Sequence, residues 1–309
     1  MIGPTHFPQR VEIREVGPRE GFQAFSKVVA TDQKLDLIHA LVCAGLQTIE
    51  VTSFVRPDRV PQLADAADLV GRLPSIPDVR FTALYLNRKG FERAEQAGKI
   101  SNLGWLYTSP SQSFLRANSN SSIEESLREV ASWCALFRAC KKKVYGLMVS
   151  TAFGCAYEGQ IAPQSVVELV SRYTDVLARD GESLSEVCLA DTVGMANPLS
   201  LERTISAIRG LGIPVSLHLH DTRGLGLTNS YVALQLGVTT FETSIGGIGG
   251  CPFTPGAAGN VATEDLVNLC ESLGIETGLN MAGLCAAAKL AERIMGLPLP
   301  GRVYKTVSA

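Results

Sequence analysis

Short runs of apolar and β-branched residues alternate along this chain with longer stretches in which apolar residues return every three or four positions. The short runs predict strands at VEIREV (11–16), TIEVTSF (48–54), RFTALYL (80–86) and LGWLYTS (103–109). Four more follow at VYGLMVST (144–151), EVCLAD (186–191), VSLHLHD (215–221) and TFETSIG (240–246). The intervening stretches predict helices at 32–45, 58–72, 88–98, 122–141, 163–180, 198–210, 226–237 and 263–273. Leu35, Ile38, Leu41 and Val42 show the spacing in the first of them. Thr31-Asp32, Ser121-Ser122 and Thr263-Glu264-Asp265 stand where helix caps belong.

Eight strand-helix alternations in about 270 residues fit a closed (β/α)8 barrel, with an open doubly wound sheet as the alternative. Polar residues with useful chemistry gather at the carboxyl ends of many strands, as a barrel built from all its βα loops requires. Residues 280–296 predict one further helix, and LPLPGRVYKTVSA, rich in proline and glycine, predicts a partly loose tail. The chain thus reads as one domain over 1–309, with the barrel at about 11–278 and the extra helix and tail at 279–309.

Composition narrows the function classes. Of 309 residues, 46% are hydrophobic and 19% charged, enough for one large core. A net charge of −2 and the single basic run KKK (141–143) give no electrostatic footing for nucleic acid. No apolar run reaches the roughly 18 residues of a membrane span, and the N-terminus lacks a signal-peptide layout. Eight scattered cysteines with no C-x-x-C pair exclude a zinc ribbon or a disulfide scaffold and suit the reducing cytoplasm.

Three constellations carry chemistry. His218 and His220 share one side of a strand, either as adjacent metal ligands or as a hydrogen-bonded core pair. SIGGIGGCPFTPGAAGN (244–260) holds six glycines, Cys251 and Asn260. It is either a plain flexible connection or a mobile loop delivering a thiol as acid or nucleophile. Acidic residues stand near strand ends: Glu20 after the first, Glu50 inside the second and Asp191 after the sixth. Arg19 is the natural partner for Glu50, since a buried carboxylate needs one. The mixed carboxylate, imidazole and amide set suits Mg²⁺ or Mn²⁺ better than zinc.

These motifs resemble the hydroxymethylglutaryl-CoA lyases, part of a larger group of metal-dependent TIM-barrel lyases and condensing enzymes. The resemblance runs from Val11 to Gly278. Its carriers are EVGPREGFQ (15–23), AGLQTIEVTSF (44–54), SIEESL (122–127), GCAYEG (154–159), ADTVG (190–194), HLHDTRGLGLTN (218–229) and GGCPFTPGAAGNVATEDLV (249–267). It implies retro-Claisen cleavage of a 3-hydroxy-3-substituted acyl-CoA to acetyl-CoA and a keto acid. It further implies metal ligands at Glu20, His218, His220 and Asn260, and a catalytic arginine at Arg19 with its partner at Glu50. Cys251 would be the loop acid, with His218 or Glu20 as base, and Glu264 would support the ligands from behind. Gln23, Ser53 and Asp191 would face the substrate. Where the family has aspartate in GPRDG, this chain has Glu20, one methylene longer. The alternatives are a different substituent at C3, a condensing synthase, and a binding protein that has lost turnover through Glu20. The apolar last helix and tail are expected to pack on a partner copy.

Overall fold

The structure is a computed structural model that describes residues 7–249 and 259–306. Eight parallel strands build the barrel: β1 (Glu12–Glu15), β2 (Thr48–Ser53), β3 (Arg80–Leu84), β4 (Gly104–Thr108), β5 (Val144–Val149), β6 (Glu186–Ala190), β7 (Val215–His218) and β8 (Thr240–Thr243). Their hydrogen-bonded order is β3-β2-β1-β8-β7-β6-β5-β4, the cyclic order of a (β/α)8 TIM barrel. All eight lie on predicted runs. At the β3–β4 seam polar side chains replace ladder bonds: Asn102 Oδ1 accepts the Ala83 N–H at 2.9 Å, and the Tyr85 hydroxyl accepts the Trp105 N–H at 2.9 Å.

Eleven helices occur among the described residues: α1 (Gly17–Ala24), α2 (Thr31–Cys43), α3 (Ala66–Arg72), α4 (Arg88–Gln96), α5 (Gln112–Ser119), α6 (Ile123–Ala139), α7 (Pro163–Arg179), α8 (Pro198–Arg209), α9 (Gly226–Gln235), α10 (Thr263–Ser272) and α11 (Met281–Met295). Their apolar stripes face the strands. In α7, Val166, Leu169, Val170, Tyr173 and Leu177 are buried at helical spacing. The Ser122 cap is present, its side chain accepting the Glu125 N–H at 3.1 Å. The caps expected at Thr31 and Thr263 are absent, because those hydroxyls bond Asp65 and Glu15 instead.

The elements differ from the sequence pattern at several points, and α5 is one that no predicted run covered. The helix expected over 58–72 is only a 3-10 turn (Pro61–Leu63) and α3, because Pro61 forces Val60 out of helical geometry. The GPREGFQA stretch, outside every predicted strand and helix, is helix α1, with Pro18 in its first turn, where the missing N–H costs nothing. A two-residue hairpin, Gly154–Cys155 against Gly159–Gln160, carries the GCAYEG motif.

The C-terminal segment is not loose as far as Thr306. Leu299 and Tyr304 are buried. Gly301 N–H donates to Gly246 O at 2.9 Å, and the N–H groups of Arg302 and Val303 reach the Asp265 carboxylate at 2.8–3.1 Å. In α11, Leu284, Ala287, Ala288 and Ala291 are buried within this chain, while Met281, Leu290, Ile294 and Met295 are half-buried. No helix among the described residues is long and apolar enough to cross a membrane.

Candidate active site

The site starts from the turn between β1 and α1. Glu15, fully buried at the end of β1, accepts the N–H groups of Gly17 and Ile245, each at 2.8 Å, and the Thr263 hydroxyl at 2.6 Å. One carboxyl group thereby ties α1 to the segment after β8 and to the start of α10. A side chain at Gly17 would meet Glu15 Oε1 at 2.5 Å and Ser244 Oγ at 2.8 Å, so the residue there must be glycine. Burial pushes Glu15 up to about 7, against the opposing pull of Thr263 and the two backbone donors.

The first turns of α1 aim Arg19 and Glu20 over the carboxyl end of the barrel. Arg19 Nε donates to Glu50 Oε1 in a short contact, and its Nη2 lies 2.8 Å from Glu20 Oε1. Glu20 Oε2 accepts Asn260 Nδ2 at 2.7 Å. His218, the last residue of β7, places Nε2 3.6 Å from Glu20 Oε1 and 3.3 Å from His220 Nε2. His220 sits two residues on and pairs with Asn260 in an isolated antiparallel bridge. The expected Arg19–Glu50 pair and the expected cluster of Glu20, His218, His220 and Asn260 are therefore contiguous.

Electrostatics distinguishes these groups. Burial opposes ionisation of Glu20, but Arg19 and the two histidines hold its carboxyl down at about 2. Burial, with Glu242 and Glu20 nearby, raises Glu50 against the pull of Arg19. Burial also opposes a charge on His218, yet Glu20 and Glu242 outweigh it and push the imidazole up to about 8. His220 is drawn down to about 4 by burial and by His218 beside it. The pocket therefore favours one positive charge between a carboxylate and two imidazoles.

That arrangement suits a divalent cation. Donor atoms of Glu20, His218 and His220 lie within 4.8 Å of one another. Bonds of about 2.1 Å at right angles need neighbouring donors about 3 Å apart, close to the 3.3 Å between the two Nε2 atoms. Asn260 Oδ1 is buried without a partner among the described residues, a carbonyl oxygen awaiting a hard cation. The backbone of Gly249 presses against this group: a Cβ there would stand 2.5 Å from Asn260 Nδ2 and 3.2 Å from Glu20 Cβ. Its φ of +107° is also glycine territory.

Gln23, Ser53 and Asp191 stand at the same end of the barrel, on α1, at the end of β2 and after β6. Each keeps a buried oxygen without a partner among the described residues: Gln23 Oε1, Ser53 Oγ and Asp191 Oδ2. The other Asp191 oxygen accepts the N–H groups of Met195 and Ala196, at 2.8 and 3.1 Å. Glu264 makes no hydrogen bond to the metal group among the described residues. Its Oε2 accepts the Gly246 N–H at 2.9 Å, and burial raises it to about 8. Cys251 lies outside the described residues. Sequence reasoning passed over Glu15 and Glu242, although an acid inside a barrel strand, as in FET, is the signal that flagged Glu50.

Comparison with known proteins establishes the family. The family model described as HMGL-like matches residues 10–291. The hydroxymethylglutaryl-CoA lyase YngG of Bacillus subtilis is 39% identical over 300 residues, covering 96% of this chain and 97% of that protein. The human mitochondrial hydroxymethylglutaryl-CoA lyase is 39% identical over 283 residues, covering 91% of this chain and 84% of that one. The crystal structure of a Bacillus subtilis HMG-CoA lyase superposes with a TM-score of 0.89 at 37% identity, covering 97% of this chain and 98% of that one. An HMG-CoA lyase from Acinetobacter baumannii, in complex with coenzyme A and 3-methylmalate, gives a TM-score of 0.86 at 35% identity, covering 99% and 97%. With its barrel, its Arg19–Glu50 pair and its Glu20, His218, His220 cluster, this chain belongs to the HMGL-like family, that of the hydroxymethylglutaryl-CoA lyases.

Proposed function

We propose that this protein is a divalent-metal-dependent carbon–carbon lyase that cleaves 3-hydroxy-3-methylglutaryl-CoA to acetyl-CoA and acetoacetate. The observation that carries the reading is the contiguity of the Glu20, His218, His220 group with the Arg19–Glu50 pair at the carboxyl mouth of the barrel. Glu20, His218, His220 and Asn260 would hold the metal. Mg²⁺ or Mn²⁺ suits this oxygen-and-imidazole set and would supply Lewis acidity toward the substrate's hydroxyl and carboxylate.

The protein groups account for the rest. The C3 hydroxyl loses its proton toward the edge where Glu20 Oε1 and His218 Nε2 stand 3.6 Å apart. The C2–C3 bond then breaks. C3 becomes the ketone of acetoacetate, and the electron pair moves into the thioester enolate. Arg19 has Nε committed to Glu50 and Nη2 to Glu20, which leaves Nη1 for the developing oxyanion. Gln23 Oε1, Ser53 Oγ and Asp191 Oδ2 provide acceptors for the substrate's polar hydrogens. Cys251 donates the proton that C2 requires, which completes acetyl-CoA. Glu264 supports the turn at Gly246 that precedes the cysteine segment. A reducing cytoplasm suits a protein whose thiol must stay free, and the seven described cysteines are unpaired.

The test is acetyl-CoA release from a panel of 3-hydroxy-3-alkylglutaryl-CoA thioesters, with the metal-depleted protein and with Mg²⁺ or Mn²⁺ restored. Cleavage that follows the metal supports the reading, and the panel identifies the C3 substituent. No cleavage of any member in either condition refutes it.

A further inference from the structure

Glu242 lies on β8 beside His218 of β7, and the two residues are register partners across the ladder. Its Oε2 stands 3.0 Å from His218 Nδ1. The two side chains are only 13% and 7% exposed. His218 Nε2, on the other side of the ring, faces His220 Nε2 at 3.3 Å and Glu20 Oε1 at 3.6 Å. An ionised carboxylate can only accept, so Nδ1 must carry the proton it receives. In the neutral ring the lone pair is then on Nε2, turned toward the Glu20–His220 group. His220 has no such device: its Nδ1 is buried without a partner among the described residues, and its place is set by the backbone bridge to Asn260.

Glu242 has no other hydrogen-bonded role among the described residues. The nearby Arg19 is committed to Glu20 and Glu50. On its remaining side Glu242 borders a cavity of about 60 Å³, shared with Arg19, Glu50, Tyr107 and Met148. A buried carboxylate is costly without a partner, and the partner here is the imidazole.

We propose that Glu242 is a positioning residue: by holding His218 through Nδ1 it fixes the tautomer and tilt that present Nε2 to the metal, and so sets metal affinity without touching the ion. The inference rests on the metal reading above. Carboxylate partners of this kind typically account for 10- to 100-fold in metal affinity. Gln is nearly isosteric, but its amide can turn a donor toward Nδ1 and favour the opposite tautomer. Leu removes the partner outright.

The experiment titrates the metal-depleted full-length protein with MnCl2, with free Mn²⁺ read by electron paramagnetic resonance. The wild type, Glu242→Gln and Glu242→Leu are compared, with the melting temperature recorded for each without metal. ¹⁵N-histidine spectra of the metal-free protein, recorded at alkaline pH where the ring is neutral, report the His218 tautomer. The expected result is a 10- to 100-fold weaker Mn²⁺ Kd in both variants, a loss of the pure Nδ1–H signature in Glu242→Gln, and kcat largely recovered at saturating Mn²⁺. A merely structural role would lower the melting temperature and kcat while leaving the Mn²⁺ Kd of the folded fraction unchanged, and that result overturns the proposal. An unchanged Kd and tautomer in Glu242→Gln, the milder variant, overturns it even if Glu242→Leu fails to fold. A wild type that binds no Mn²⁺ overturns the metal reading itself, and this inference with it.

Discussion

Replacing Arg19 with lysine separates charge from geometry at the centre of the proposed chemistry. The guanidinium makes two contacts at once, to Glu50 through Nε and to Glu20 at 2.8 Å through Nη2, and leaves Nη1 for the substrate. An ammonium keeps the positive charge but not the planar fork, so it cannot serve both carboxylates and still offer a directed donor. Loss of one oxyanion donor in a water-poor site costs about 2.7–4 kcal/mol, or 100- to 1,000-fold in kcat. Arg19→Lys leaves Glu20, His218 and His220 in the sequence and keeps a positive charge beside Glu20, so the Mn²⁺ affinity should fall far less than kcat. The assay is steady-state acetyl-CoA release at saturating Mn²⁺, alongside Mn²⁺ titration and a thermal melt. A kcat within threefold of wild type would refute the oxyanion role. Metal binding lost in parallel with kcat would show that Arg19 holds the site together instead.

Three further substitutions probe neighbouring links. Glu20→Asp shortens an arm that spans Arg19 and Asn260, at 2.8 and 2.7 Å. It should lower kcat about 10- to 100-fold, since ångström misplacements carry penalties of that order. A gain in kcat would instead show a site impaired by glutamate and favour the binding-protein alternative. Gly249→Ala places a Cβ 2.5 Å from Asn260 Nδ2 at a φ of +107°. It should weaken Mn²⁺ binding at least tenfold and cost about 1–3 kcal/mol of stability, which Mn²⁺ titration and denaturant melts would measure. Glu264, raised to about 8 by burial, favours the folded state fully below its unfolded value near 4.5, and that stabilisation is lost as pH rises through 8. In chelator, wild-type stability should therefore fall between pH 5 and 8 with a Glu264 contribution of up to about 1.4 kcal/mol per pH unit. Glu264→Gln should reduce that slope, leaving the parts due to Glu15, Asp191 and His218, which are raised to about 7, 6 and 8. An unchanged slope in urea melts would contradict the assignment.

The strands were legible because each barrel strand is a short β-branched run bounded by polar residues, and a closed barrel repeats that unit eight times. The VSLHLHD pattern alone placed His218 and His220 on one side, since strand period is local. Helix α1 was hidden by its Gly, Pro and charged residues, which are also turn formers; its helicity depends on Glu15 fixing Gly17, a contact closed through Ile245 and Thr263 far along the chain. The tail was misread for the same reason, because Asp265 and Gly246 anchor it from elsewhere in the sequence. Glu242 escaped notice since only the β7–β8 register shows that it stands beside His218. Composition and period specify elements, whereas partners of buried charges are set by register between distant segments.

The most direct test follows the fate of carbon. Metal-depleted protein is given 3-hydroxy-3-methylglutaryl-CoA labelled with ¹³C at C2, Mn²⁺ is added, and the products are followed by NMR. The account predicts acetyl-CoA labelled in its methyl group and unlabelled acetoacetate in equal amounts, formed only once metal is restored. Intact substrate in the presence of saturating Mn²⁺, or cleavage that proceeds equally without metal, would contradict it.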